Sequence, residues 1–276
     1  MTGNAFAALG NEHRVEILRT LVVAVENQRT GLPFTELYDR TGIDSSSQFS
    51  YHLDRLTTEF VREADGEYVP TSAGERVVRA IRSGIYTEAP SFEPVTVEGV
   101  CPECASTTLR AAYDDPHLRV ACTDCDATVV TYDLSPAETE GRGPFETLAA
   151  CNRRALREYE TAIAGSCPTC NGATTVAIET GPDGDYACVA DCSQCGLRLF
   201  APVELPLFGH PAVISFYWDR GVDVTDLRLW RLPAFIGDVD RRVLETEPLA
   251  FALTLHHGDA SITARIDADG TVSVPD

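Results

Sequence analysis

Eight of the ten cysteines occur as four Cys-X-X-Cys pairs, a spacing at which two thiolates can bind one metal ion. The first two pairs, Cys101/Cys104 and Cys122/Cys125, are separated by 17 residues, which is typical of a four-thiolate zinc site. A tight turn presents the two sulfurs of each pair, and a hairpin between the pairs brings them together. Because cysteine fills all four positions, no coordination position stays open, and this favours a structural zinc ion over a catalytic one.

A second group repeats this pattern with 21 residues between its pairs, so two Zn²⁺ ions are expected, one per zinc ribbon. Its predicted ligands are Cys167, Cys170, Cys192 and Cys195. The remaining two cysteines are expected to play other parts. Cys188 either points into the ribbon or substitutes as a ligand, and Cys151 is a small buried apolar residue of a helix.

The stretch Asp44–Phe60 carries a second set of chemically useful side chains. Its apolar residues recur at helical spacing and predict one buried side. The other side combines hydroxyls, an aromatic ring, an imidazole and a guanidinium, contributed by Ser46, Ser47, Ser50, Tyr51, His52 and Arg55. A short helix, a tight turn and a second helix with such a polar face are typical of a helix-turn-helix.

The elements that must position this helix can be predicted in order along the chain. Asn11 is a plausible N-cap for a helix over 12–26, whose inward residues are Val15, Leu18, Leu21, Val22 and Val25. Thr35 caps a short helix over 36–41. Two strand-like runs around Asp65-Gly66 predict a hairpin within 61–69, and a helix over 73–82 follows. Together these elements predict a winged helix.

The fold class expected for the whole chain is α+β, with several domains. Residues 99–132 and 165–203 resemble each other, which indicates an internal duplication. The predicted order is a winged helix over 1–85, a linker over 86–98, a zinc ribbon over 99–134, a connecting helix within 135–164, a second ribbon over 165–203 and an α/β region with antiparallel strands over 204–276. In that last region, helices are expected near 211–220 and 226–235, and strands at 249–256, 261–266 and 271–274.

The formal net charge is −20, and every one of the 22 basic residues is arginine. Residues 1–85 contain 12 acidic residues and 9 arginines, a net charge of −3, which leaves −17 for the other 191 residues. Net negative charge is therefore concentrated away from the predicted helix-turn-helix. A lysine-free acidic surface suits molar salt, where the Debye length of roughly 3 Å makes repulsion from phosphates short-ranged.

Several functional classes are disfavoured by the sequence. The chain contains no phosphate-binding glycine loop, no Gly-X-Ser-X-Gly and no His-Glu-X-X-His, so we do not expect an enzyme. It has no run of about 18 apolar residues and no apolar N-terminal signal. A cytoplasmic protein without a membrane partner is expected.

Residues 5–85 resemble winged helix-turn-helix regulators of the ArsR-like type. Leu9–Leu21 is similar to their opening helix, Ser50-Tyr-His-Leu-Asp-Arg-Leu56 to their recognition helix, and Gly66–Gly74 to the end of their wing. With its acidic, lysine-free composition and appended zinc ribbons, the chain is similar to transcriptional regulators of halophilic archaea. Pro70 stands where the family usually has leucine.

The resemblance implies a homodimer on double-stranded DNA, with the recognition helix in the major groove. By position, the residues facing DNA would be Ser46, Ser47, Gln48, Tyr51, His52 and Arg55, with Arg62 on the wing. Gln48 or Arg55 would contact base edges, because glutamine suits adenine and arginine suits guanine. The C-terminal half would bind an effector, a protein partner or the second protomer.

Two other functions compete with this interpretation. In the first, the winged helix docks proteins, and the chain is a zinc-ribbon adaptor of the transcription machinery that does not read DNA. In the second, the thiols form a redox or metal sensor, which requires thiolates that are exposed or have a depressed pKa.

Overall fold

The computed structural model describes residues 3–27, 29–86, 88–114, 117–181, 184–237 and 239–275. It is a mixed α/β protein with several small antiparallel sheets. The chain divides into an N-terminal unit, residues 1–90 with 135–137, and a C-terminal unit, residues 91–134 with 138–276.

The first part of the chain is mainly helical and ends in a hairpin and a further helix. Its elements are α1 (Gly3–Leu9), α2 (Glu12–Glu26), α3 (Phe34–Arg40), α4 (Ser46–Leu56), β1 (Val61–Ala64), β2 (Glu67–Pro70) and α5 (Ser72–Arg82).

Side-chain caps begin the longer helices of this unit. The Asn11 side chain accepts a hydrogen bond from the His13 N–H (3.0 Å) and starts α2 at its predicted residue. Ser45 caps α4 by accepting from the N–H of Gln48, and Thr71 caps α5. α3 begins earlier than expected: it starts directly after Pro33 and not after Thr35.

The N-terminal core differs in detail from the predicted one. Leu18, Leu21 and Val22 of α2 are buried as expected, but Ile17 and Ala24 take the places predicted for Val15 and Val25, which are half-buried. The reason is that α3, α4, α5 and β2 all pack on α2, so its buried stripe is set by several neighbours. The other fully buried side chains of this core include Leu32, Leu37, Phe49, Leu53, Leu56 and Val78.

The hairpin β1–β2 has the turn that its sequence predicts. Asp65 (φ 53°) and Gly66 (φ 80°) both occupy the left-handed region, as the two central residues of a type I′ turn do. Leu32 exchanges two backbone hydrogen bonds with Tyr68 of β2, which ties the loop before α3 to the hairpin.

The rest of the chain alternates small sheets with short helices around one long helix. Its elements are β3 (Val95–Glu98), β4 (Thr108–Asp114), β5 (His117–Cys122), β6 (Thr128–Asp133), α6 (Pro136–Thr139), α7 (Pro144–Ile163), β7 (Thr174–Thr180), β8 (Tyr186–Cys192), β9 (Arg198–Pro202), α8 (Pro211–Trp218), α9 (Leu232–Ile236), β10 (Asp240–Thr246), β11 (Leu249–His257), β12 (Ala260–Ile266) and β13 (Val272–Ser273). Two 3-10 helices cover Leu205–Gly209 and Leu229–Arg231.

Three antiparallel sheets follow from these strands. The first has the order β3-β4-β5-β6, the second β7-β8-β9, and the third β10-β11-β12-β13. In the first sheet, alternate residues of β4 and β5 are buried, among them Leu109, Ala111, Leu118 and Val120. That sheet therefore has one core face and one outer face.

Three predictions for this region were incomplete. Residues 95–98, expected in a linker, form β3 and pair with β4. β10 was not predicted; its mostly exposed, charged residues Asp240–Thr246 lack the apolar alternation of a half-buried strand. The helix expected near 226–235 is shorter and divided, consisting of a 3-10 turn and α9.

Candidate metal centres and nucleic-acid interface

Cys101, Cys104, Cys122 and Cys125 converge at one end of the first sheet and form the first four-cysteine group. The distance from the Cys101 Sγ to the Cys125 Sγ is 3.6 Å, and that from Cys104 to Cys122 is 3.5 Å. All four sulfurs lie within 4.8 Å of one another. All ten cysteines of the chain are free thiols.

The second four-cysteine group, at the end of the second sheet, repeats this geometry. Its Sγ–Sγ distances are 3.6 Å between Cys167 and Cys195 and 3.5 Å between Cys170 and Cys192. In each group the first cysteine of either pair is buried and the second is exposed. Each group can therefore hold a metal ion.

One backbone turn is used four times to present these sulfurs. The N–H of the first cysteine in each pair donates to the carbonyl five residues later, as from Cys101 to Ser106 and from Cys192 to Leu197 (both 2.8 Å). The residue directly after the second cysteine has a left-handed backbone, with φ of 58°, 57°, 60° and 77° at Ala105, Asp126, Asn171 and Gly196. Glycine at 196 favours this conformation and Asp126 and Asn171 tolerate it, whereas Ala105 gives no signal for it in the sequence.

Backbone donors and neighbouring thiols give the sulfurs of a group very different proton affinities. The N–H of Asp124, 3.4 Å from the Cys122 Sγ, is the main cause that lowers the pKa of Cys122 to about 6. The N–H of Ala127 favours the Cys125 thiolate, but the hydrogen bond with Cys104 and burial outweigh it and raise the pKa of Cys125 to about 12. Without a cation, four thiolates so close together repel one another, and a bound metal ion removes that conflict.

The two remaining cysteines lie outside these groups. Cys188 is fully buried in β8, in the C-terminal core, where burial raises its pKa, and Tyr159 donates to its carbonyl (3.2 Å). Cys188 therefore points inward, the first of the two predicted arrangements. Cys151 is fully buried in α7, as expected, with its Sγ 3.7 Å from a carboxylate oxygen of Glu138.

The residues predicted to face DNA share one exposed side of α4, with one exception. Ser46, Ser47, Gln48, Tyr51 and Arg55 are exposed, whereas Phe49, Leu53 and Leu56 on the opposite side are buried. Arg62 is exposed on β1. The sequence periodicity thus predicted the outward side of this helix.

His52 is the exception, and its prediction is corrected. It is only 7% exposed, because its ring turns inward against His13 of α2, with the ring centroids 5.3 Å apart. Its Nδ1 is buried without a hydrogen-bond partner in the described residues. Burial, followed by the charges of His13 and Arg14, lowers the pKa of His52 below its ordinary value. This side chain packs against α2 and is not one of the outward-facing groups of α4.

The arginines of this surface are not neutralised. The Arg55 guanidinium lies 5.3 Å from the centroid of the Tyr51 ring, a cation–π contact that orients both side chains. Within the described residues, neither Arg55 nor Arg62 forms an ion pair, whereas Arg29, Arg40, Arg79 and Arg82 of the same unit do. In a chain with 42 acidic residues, the guanidinium groups of Arg55 and Arg62 thus stay available for contacts with a partner.

No helix within the described ranges is long and apolar enough to cross a membrane.

Two family models match the chain. A family described as "Domain of unknown function (DUF7351)" matches residues 98–272, and one described as "Domain of unknown function (DUF7347)" matches residues 2–81. No curated protein matches significantly. A solved structure described as "Crystal structure of a hypothetical protein at 2.2 A resolution" aligns over 95% of this chain and 91% of that chain, with 11% identity and a TM-score of 0.24. A similarity this weak does not establish a shared fold.

Proposed function

The chain belongs to the DUF7351 family, and we propose that it is a sequence-specific DNA-binding transcriptional regulator with two structural zinc sites. The observation that carries the proposal is the exposed face of α4. Hydroxyl, amide, phenol and guanidinium groups share that face, and the helix is held from behind by buried Phe49, Leu53 and Leu56. A major groove admits an α-helix, and these are the groups that read its base edges.

The roles of the individual side chains follow from their chemistry. Gln48 can pair with adenine and Arg55 with guanine through two hydrogen bonds, each contributing about 1–3 kcal/mol of discrimination. Ser46 and Ser47, in the first turn of α4, and Tyr51 would contact phosphates and fix the register of the helix. Arg62 on the hairpin adds a further phosphate contact.

The neighbouring elements support the same function. α3 and α4 follow each other across a short turn, and β1–β2 forms a tight hairpin directly afterwards, which is the order of a winged helix. This order agrees with the resemblance to ArsR-like regulators. From that resemblance we propose a homodimer on a pseudo-palindromic site.

Zinc is the metal that the cysteine groups fit best. A tetrahedral Zn²⁺ with Zn–S bonds of about 2.3 Å places its sulfurs roughly 3.8 Å apart. The shortest Sγ–Sγ distances in the two groups are 3.5–3.6 Å and none exceeds 4.8 Å, which is close to that value. Because all four ligands are thiolates, the ion would stabilise the fold of each zinc ribbon and take no part in a reaction.

Selection from a random-sequence duplex pool tests the proposal. The full-length, zinc-loaded chain should enrich a sequence motif at high KCl. Arg55→Ala should weaken binding to that motif by about 1–3 kcal/mol, because it removes a bidentate base contact. Arg76→Ala is the matched control, since Arg76 is an exposed arginine of the same unit outside the proposed interface.

Both variants should contain the same amount of zinc as the parent chain. If the parent enriches no motif, or if Arg55→Ala binds the motif as tightly as Arg76→Ala does, the proposal is wrong.

One observation favours a second candidate, a zinc-ribbon adaptor that binds a protein of the transcription machinery. Phe200 on β9 and Trp218 at the end of α8 are 72% and 63% exposed, and aromatic residues are enriched in protein interfaces. An adaptor would enrich no DNA motif in the selection above. Phe200→Ala would then abolish capture of its partner, while Arg55→Ala would not.

A further inference from the structure

The outer face of the first sheet carries two arginines on neighbouring strands. Arg110 of β4 lies opposite Ala121 of β5, and Arg119 of β5 lies opposite Ala112 of β4. All four side chains leave the same face, because cross-strand partners and alternate residues share a side. The two guanidinium stems are thus diagonal neighbours, with Cα atoms roughly 7–8 Å apart.

The small alanine side chains leave a shallow hollow between these arginines. It measures about 220 Å³ and is lined by both arginines, both alanines, and Cys122, Thr123 and Asp126 from the turn of the first four-cysteine group. The Arg119 guanidinium is steadied by a hydrogen bond to the Thr128 hydroxyl (3.4 Å). The hollow therefore presents two cationic donors around the alanines, with one carboxylate and one ligand sulfur at its edge.

Neither arginine is neutralised by a carboxylate among the described residues. The duplicated second sheet is different, since its Arg198 forms ion pairs with Glu179 (2.6 Å) and Asp191 (2.9 Å). By strand register, with Cys122 opposite Leu109 and Cys192 opposite Thr174, the positions of Arg110 and Arg119 correspond to Thr175 and Val189 in the second sheet. Of these two sheets, only the first thus presents two guanidinium groups without an ion pair among the described residues.

We propose that this outer face binds the phosphodiester backbone of duplex DNA, with Arg110 and Arg119 each contacting a phosphate. The inference rests on the proposed function, and it adds a contact that carries no sequence information. A duplex backbone is favoured over unstacked bases because the tyrosines of this sheet, Tyr113 and Tyr132, belong to its core side and leave no stacking platform.

Nearby negative charge does not prevent this contact. Asp126 and the thiolate group lie beside the hollow, but at molar salt the Debye length is roughly 3 Å, so only groups in direct contact interact strongly. A guanidinium meets a phosphate oxygen at about 2.8 Å, inside that length, with charge-assisted hydrogen bonds. Repulsion from carboxylates farther away is screened.

The salt dependence of DNA binding tests the inference. The probe is a labelled mixed-sequence duplex, titrated with full-length, zinc-loaded chain over about a tenfold range of KCl. Each lost phosphate contact reduces the slope of log K against log salt by about 0.9, so Arg110→Gln/Arg119→Gln should flatten it by about 1.8. Arg110→Lys/Arg119→Lys keeps both charges and should preserve the slope.

The matched control is Arg153→Gln/Arg157→Gln, which changes the net charge equally through two exposed arginines of α7. It should leave the slope unchanged. Equal slopes for the two double glutamine variants would overturn the inference, as would a parent chain that binds no DNA.

Arg55→Ala in the same assay separates this inference from the proposed function. If only the Arg110/Arg119 variant alters binding, the outer face binds DNA and the role of α4 is wrong. If only Arg55→Ala alters binding, α4 reads DNA and the outer-face inference is overturned.

Discussion

Asn152 is a buried amide in the middle of α7 whose hydrogen bonds join three segments of the C-terminal unit. Its Oδ1 accepts from the Tyr132 hydroxyl (3.2 Å) and the Leu229 N–H (2.9 Å), and its Nδ2 donates to the Leu227 carbonyl (2.9 Å). Asn152→Ala leaves three buried groups without partners. We expect the free energy of unfolding of this unit to fall by about 3 kcal/mol, or roughly 1 kcal/mol per bond.

Tryptophan fluorescence during denaturant unfolding reports this loss, because both tryptophans, Trp218 and Trp230, belong to the C-terminal unit. Arg153→Ala, at the next residue and exposed, should change the same quantity by less than about 0.5 kcal/mol. An Asn152→Ala chain as stable as that control would show that water replaces the amide.

His52 should make the N-terminal unit sensitive to acid. Its pKa in the folded chain is lowered by burial and by His13 and Arg14, whereas in the unfolded chain it returns to about 6.5. The unfolded state therefore binds the proton first as pH falls. The contribution of neutral His52 to the free energy of unfolding is complete above pH about 6.5 and is lost as pH falls below it. We expect hydrogen-exchange protection of residues 46–56 to fall below that pH in the parent chain.

His52→Leu removes the titrating group. After correction for intrinsic exchange rates, the protection of residues 46–56 should fall less in this variant than in the parent chain. Comparing the variant with the parent isolates His52 from carboxylates and thiolates that titrate in both. Identical pH profiles in the two chains would exclude His52 as the cause.

At the residue scale, the sequence predicted the cysteine groups better than it predicted which side chains of α4 point outward. Metal ligation depends on local spacing, so four Cys-X-X-Cys pairs identify the eight sulfurs that converge. The direction of His52 depends on tertiary packing, because His13 lies on another helix and 39 positions away in sequence. Helical periodicity places His52 at the edge of the buried stripe and cannot decide its side.

At the element scale, α5 approaches the hairpin so closely that one position requires glycine. A Cβ at Gly74 would lie 2.4 Å from the Phe60 carbonyl oxygen and 2.9 Å from a methyl carbon of Leu18. Gly74→Ala therefore forces α5 away from the start of the hairpin. We expect the N-terminal unit to lose about 1–3 kcal/mol of unfolding free energy, measured by hydrogen exchange of α2 and α5 in the full chain.

Gly42→Ala is the control, since a Cβ there meets nothing within 4 Å. That variant should be neutral or gain about 0.4–1 kcal/mol through the lower entropy of its unfolded chain. Equal stability of the two alanine variants would mean that α5 adjusts its position without cost.

Elements with strong local signals were predicted nearly to the residue. The cap at Asn11, the Asp65-Gly66 turn and the helix expected over 73–82 all have their cause in neighbouring residues. β3 and β10 lack such a signal, because they are short or exposed and exist through pairing with a strand distant in sequence. The left-handed backbone after a cysteine pair was equally hidden at Ala105, an alanine, but less so at Asp126 and Asn171, whose residue types tolerate it.

At the scale of the whole molecule, the two units should respond differently to loss of metal. All ten cysteines lie between Cys101 and Cys195, and the N-terminal unit has a hydrophobic core of its own. Removing the proposed zinc ions with a chelator should abolish hydrogen-exchange protection in β4–β5 and β7–β8, because metal binding supplies folding free energy to segments with small cores. Protection of α2 and α4 should not change, and equal loss in both units would contradict the prediction.

The distribution of charge was readable from the sequence, but its arrangement in space was not. Counting residues shows that net negative charge is concentrated after residue 85. It does not show that Arg55, Arg62, Arg110 and Arg119 lack carboxylate partners among the described residues while Arg198 and Arg265 each have two. Ion pairing depends on which side chains meet after folding, and composition alone does not determine this.

Because burial alternates along its cysteines, each four-cysteine group has one exposed side and one buried side. A chelator, an alkylating reagent or an oxidant approaching from solvent meets Cys104 and Cys125 in one group, and Cys170 and Cys195 in the other. Their four partners are shielded by the protein interior. Loss of metal and thiol damage therefore begin at the exposed sulfur of each turn. The buried sulfur of each turn stays in place, so the two turns of a group separate first on the side that faces solvent.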